Sequence, residues 1–66
     1  MTIIRWTDAS RGRNEEWLVT QNRDRGGYDV ERKGWVKIWM NVGSPKEASE
    51  KIFAGRDGHV EIEEKP

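Results

Sequence analysis

Short bursts of apolar residues alternate with polar ones along the chain, and clusters of Gly, Asn, Asp and Arg separate the bursts. Successive side chains of a strand point to opposite faces, so this rhythm predicts strands joined by turns. Thr2 to Trp6, with Ile3, Ile4 and Trp6, is β-rich and reads as a first strand. Thr7 to Asn14 is polar and reads as a loop. Trp17-Leu18-Val19-Thr20 lies in a second strand over Glu15 to Gln21. Asn22 to Gly27 is a turn region, since Gly and Asn supply the positive φ that turns need. Tyr28-Asp29-Val30-Glu31 alternates as a half-buried strand should, and Lys33-Gly34 reads as the tip of a tight hairpin.

Trp35 to Val42 carries the clearest alternation in the chain. Val36, Ile38, Met40 and Val42 share one face, expected to be the core face; Trp35, Lys37, Trp39 and Asn41 share the other. The pattern then changes. Ser44 can cap a helix, Pro45 suits its first position, and Glu47 follows Ser44 by three residues as in a capping box. Ala48 and Ile52 would share a helix face with Phe53 beside it, and Gly55 is a natural stop. A helix of about ten residues is marginal alone, so it must dock on the sheet. From His59 to Glu63 the alternation resumes, with Val60 and Ile62 expected inward and His59, Glu61 and Glu63 outward. The order β-β-β-β-α-β predicts an α+β fold: a small antiparallel β-sheet with one helix packed on one face. The second, third and fourth strands form a meander, and the last strand returns to an edge. Residues 1–66 read as a single domain without a linker.

Composition narrows the means of stabilisation. A chain of 66 residues buries only about 60% of the surface its unfolded form exposes. There is no Cys, which excludes disulfides and thiolate zinc sites and fits a cytoplasmic protein. Four Trp therefore carry much of what core there is. Twelve basic residues balance twelve acidic ones, so bulk charge does not drive binding to nucleic acid or to an anionic membrane. No apolar run approaches a membrane span and no leader resembles a signal peptide.

Candidate chemistry is sparse. Nucleophilic catalysis needs a nucleophile, a base and an orienting group. The one His, His59, is expected on a solvent face beside an Asp57-Gly58 turn. Glu61, Glu63 and Glu64 read as a solvated strand edge that discourages unwanted pairing rather than as metal ligands. No enzyme activity, cofactor or metal is expected. Gly26-Gly27 and Gly12 lack the strand–loop–helix order of a phosphate cradle.

The informative feature is Trp35-Lys37-Trp39, two indoles flanking an ammonium on one strand face. Trp17 or Leu18, and Arg32, are candidates to lie nearby. Two readings stay open. The N-terminal strand or the loop at 7–14 covers this face as a second core layer. Alternatively the face is an exposed platform for a protein or for stacked bases. Arg11, Arg13, Arg23 and Arg25 would then supply a basic rim.

Two resemblances accompany these residues. Trp17-Leu18-Val19 or Trp35-Val36-Lys37, then Lys46-Glu47-Ala48, then Gly55-Arg56-Asp57-Gly58, is similar to a family of short uncharacterised bacterial proteins, which implies no known activity. Tyr28-Asp29-Val30, Gly34-Trp35 and Lys46-Glu47-Ala48 resemble the arm-type DNA-binding domain of integrases, similar to the plant AP2 domain. That resemblance implies a sheet face in the major groove, with Trp35, Lys37 and Trp39 at the DNA. The leading expectation is a non-enzymatic protein-interaction adaptor or inhibitor acting through the sheet face. Nucleic-acid binding through the same face and the arginine loops is the alternative, and a homodimer through sheet edges is a third arrangement.

Overall fold

The computed structural model describes residues 1–65. The elements follow the expected order: β1 (Thr2–Asp8), β2 (Arg13–Gln21), β3 (Tyr28–Arg32), β4 (Lys37–Met40), α1 (Pro45–Ile52) and β5 (His59–Glu64). The five strands form one antiparallel sheet in the order β4-β3-β2-β1-β5, with α1 packed on one face. β5 returns to the edge beside β1, where Lys65 N–H donates to the Met1 carbonyl at 2.8 Å.

The polar segment expected to be loop pairs instead. Thr7 stands opposite Asn14 and Asp8 opposite Arg13, leaving residues 9–12 as the turn. Ladder bonds use only the backbone, so polar side chains do not prevent them. The Asp8 carboxylate closes the turn by accepting from Ser10 Oγ at 2.7 Å.

The core lies on the helix side of the sheet. Ile4 and Trp6 from β1, Trp17 and Val19 from β2 and Val30 from β3 pack with Val42, Ala48 and Phe53. Tyr28, Met40 and Ile52 pack against them, half-buried. The helix starts as its residues dictate: Glu47 N–H donates to Ser44 Oγ at 3.2 Å, and Glu47 Oε2 accepts from Gly43 N–H at 2.7 Å. It closes at Ile52, earlier than Gly55 suggested, with Phe53 turned into the core.

The expected core face of the fourth strand is corrected. The strand covers Lys37–Met40, not Trp35 to Val42. At its start, Trp35 N–H is held by the Arg32 carbonyl at 2.8 Å in a turn through Gly34, whose φ of +79° a side chain would resist. At its end, Val42 N–H donates to the Met40 carbonyl at 3.0 Å, a bond that turns the chain off the sheet and drives Val42 into the core. Val42 and Met40 are therefore in the core region as expected, while Val36 is 59% and Ile38 47% exposed. Val60 and Ile62 on β5 are likewise 36% and 40% exposed, although they pair with Trp6 and Ile4 on the core side. Length explains the β4 case. The eight-residue helix is about 12 Å long. The five strands span about 19 Å between their outer axes. The helix approaches β3 and β5 and does not reach across to β4, whose apolar residues stay uncovered.

Truncating the fully buried Ile4 (Ile4→Ala) should cost about 2–5 kcal/mol in urea unfolding. Ser44→Ala removes the cap and should cost about 1 kcal/mol. Equal losses at the two positions would mean that the helix–sheet core does not dominate stability.

Candidate functional site

Strand parity sorts the candidate residues onto two faces. Registers between β2, β3 and β4 align Leu18, Glu31 and Lys37 in one row and Thr20, Asp29 and Trp39 in the next. These rows lie on the face away from α1. Among the described residues no helix or strand is layered over that face, because β1 sits within the sheet beside β2 rather than across it, although Ile3 on that face is itself buried. Trp17 is on the other face, in the core, so of the two alternatives on β2 it is Leu18 that shares the face of Lys37 and Trp39, while Arg32 lies at Trp35.

The two indoles differ. Trp35 is 73% exposed in the hairpin turn, with the Arg32 guanidinium 4.9 Å from its ring centre. Trp39 is half-buried: its Nε1 donates to the Gly26 carbonyl at 2.8 Å, and the Arg25 guanidinium lies 3.9 Å from its ring centre. Each cation rests on the negative face of its ring. The expected Trp35-Lys37-Trp39 face is thus divided: Trp35 lies in the turn against Arg32, which reaches Glu15 on the helix side, while Lys37 and Trp39 share the other face, where Arg25 covers the Trp39 ring.

The four loop arginines do not form one rim. Arg25 reaches Trp39, and Arg23 lines a separate shallow cavity with Met1, Tyr28 and Glu64. Arg13 is seven residues along β2 from Thr20, about 24 Å away at strand spacing, and on the helix-side face. Arg11 and Arg13 instead line a polar cleft of about 390 Å³ with Trp6, Asp8, Glu15 and Arg56. Arg11 lies 3.9 Å from Asp8.

That cleft is organised by Glu15, which the sequence reading did not single out. Glu15 Oε1 accepts from the Trp17 indole at 3.0 Å, and Oε2 accepts from Arg56 at 2.8 Å, with Arg32 3.8 Å away. Burial alone would raise the Glu15 pKa, but the Trp17 and Arg56 hydrogen bonds and the two guanidinium charges outweigh it and hold it below its ordinary value. Asp8 is also held low, chiefly by the Ser10 hydroxyl, against a smaller opposing effect of burial. Glu15 fastens β2 to the segment after α1, and Asp8 holds the turn between β1 and β2. His59 is exposed, 3.4 Å from Glu61. Among the described residues, no three His, Asp or Glu side chains are placed to hold a metal, and no helix is long and apolar enough to cross a membrane.

Compared with known proteins, the chain finds no match: no family model, no curated protein and no solved structure fits it. What the surface can do therefore follows from its geometry.

The most distinctive geometry is at β4, an edge strand. Beside it on the helix side runs an apolar groove of about 270 Å³, lined by Trp17, Val30, Ile38, Met40, Ile52 and Arg56. Ile38 in its wall is exposed, as are Val36, two residues before it on the same side of the strand, and Trp35 in the preceding turn. The edge itself is unpaired. Arg32 N–H donates to the Val36 carbonyl at 3.4 Å, which fixes the ladder parity. Val36, Ile38 and Met40 turn their backbone groups toward β3, so Lys37 and Trp39 turn theirs outward. The sequence placed Val36 and Ile38 in the core because local alternation reports which residues share a face, not how far a helix reaches over it.

The depressed carboxylates set a pH dependence. Glu15 stabilises the fold fully above its ordinary value of 4.5, and that contribution is lost as pH falls from there through its lower folded value. Glu15→Gln should therefore be less stable than the parent at pH 7, with the difference shrinking toward pH 3 in urea melts. A difference independent of pH would show that the charge of Glu15 contributes nothing.

Proposed function

We propose that the chain is a non-enzymatic protein-binding module that takes up an extended protein strand along β4, rather than one that binds through the broad sheet face. A single observation carries this reading: three large apolar side chains, Trp35, Val36 and Ile38, stand exposed beside outward-facing backbone groups on an unpaired edge. An added strand would satisfy Lys37 and Trp39 through the main chain and seat alternate side chains in the groove. Natural sheets usually protect such edges, so an open apolar one marks a place of contact.

Protein is favoured over nucleic acid by the placement of the cations. Arg25 and Arg32 lie on the indoles that would have to stack with bases. Arg13, with no ion pair among the described residues, is on the opposite face. The chain as a whole has no net charge.

The test uses a photo-reactive residue at position 36, with one at the exposed helix position 50 as control. A protein adduct at 36 but not at 50 is expected. The captured protein, purified, should bind the parent chain and lose at least about tenfold in affinity for the Val36→Lys, Ile38→Lys variant. Equal labelling at both positions, or adducts to nucleic acid, would sink the reading.

A further inference from the structure

We propose that the strand taken up along β4 is β4 of a second copy of this chain, paired antiparallel about a two-fold axis through Ile38. This rests on reading β4 as a strand-accepting edge, and goes beyond it by naming the occupant.

Two-fold pairing of a strand with itself requires a sequence that reads compatibly in both directions. Val36-Lys37-Ile38-Trp39-Met40 does so about Ile38: apolar, polar, apolar, aromatic, apolar. In this register Lys37 meets Trp39 of the second copy, and Val36 meets its Met40. Lys37 and Trp39 are the residues whose backbone groups face outward, so each such pair exchanges both of its main-chain hydrogen bonds. Ile38 meets Ile38 as a close pair without ladder bonds between them.

The side chains agree with that register. On the helix side, Val36, Ile38 and Met40 of two copies form one apolar stripe and wall off the open side of each groove. On the other face, Lys37 stands beside Glu31 of its own sheet, which offsets its charge, and opposite Trp39 of the second copy, whose ring already carries Arg25. An axis through Lys37 would set ammonium against ammonium. An axis through Trp39 would bring the two Arg25 guanidinium groups, each 3.9 Å from a Trp39 ring, together at the dyad. The full-overlap registers of β5 with itself, centred on Glu61 or Ile62, set glutamate against glutamate. Charge therefore disfavours the longest self-pairings of β5 and leaves β4 with one register free of like charges face to face.

The chain has no cysteine, so one introduced thiol reads the register directly. Ile38→Cys places two thiols on the dyad, with Cα atoms about 4.5 Å apart, within reach of a disulfide. Lys37→Cys places its thiol opposite Trp39 instead. The expected results are a mass twice that of one chain by light scattering, rapid disulfide dimerisation of Ile38→Cys but not of Lys37→Cys, and amide exchange at Lys37 and Trp39 slowed about tenfold or more. The Val36→Lys, Ile38→Lys variant should be a folded monomer with fast exchange at both amides. A monomeric parent with unprotected Lys37 and Trp39 amides overturns the second copy as occupant. So does a dimer that Lys37→Cys links faster than Ile38→Cys. In either case an adduct from position 36 to a different protein would leave the strand-accepting edge standing.

Discussion

The contact between Phe53 and the two core tryptophans holds the helix to the sheet. The Phe53 ring stacks on Trp6 with centroids 5.8 Å apart and meets Trp17 edge-on at 6.3 Å. Each such pair adds about 0.5–1.5 kcal/mol beyond the area it buries. Arg56 caps the cluster, 5.4 Å from the Trp6 ring and 5.5 Å from Phe53, and its guanidinium binds Glu15. The Trp6 indole N–H donates to the Asp57 carbonyl at 3.2 Å, fixing the start of the last turn. Gly58 follows there at a φ of +135°, where a Cβ would stand 2.7 Å from the Thr7 carbonyl oxygen. One aromatic clamp thereby sets the position of α1, the path of the chain into β5 and the charge of a half-buried carboxylate.

The same clamp decides what stays uncovered. It holds a short helix against β3 and β5, and apolar side chains of the far edge strand, β4, stay in water. The edges differ in their chemistry. β5 interleaves Val60 and Ile62 with Glu61 and Glu63, and repulsion makes it a poor template for a further strand. β4 interleaves Val36, Ile38 and Met40 with one lysine and one tryptophan. The asymmetry gives the molecule a single strand edge suited to pairing, and that edge adjoins its apolar groove.

Much of the local structure was legible in the residues. The Ser44-Pro45-Lys46-Glu47 start, the Asn22 to Gly27 turn and the antiparallel order with one helix all follow from short-range chemistry, and each is present. The arginine rim was not legible. Arg11 and Arg13 are as polar and as loop-like in sequence as Arg25, yet only Arg25 comes to an indole of the proposed platform. Which turn meets which strand depends on register and on the end of the sheet at which each turn falls.

The sequence by itself determined which residues share a face, because a strand's alternation is a local geometric property. It marked Val36, Ile38 and Met40 as one side of a strand and Lys37 and Trp39 as the other, and the ladder agrees. Only the tertiary structure decided whether a shared face is covered. Coverage is set by the length of α1 against the width of the sheet, and by the Phe53 clamp that fixes where it sits. For that reason Val42, which leaves the strand, is buried, while Ile38, which stays in it, is open to a partner.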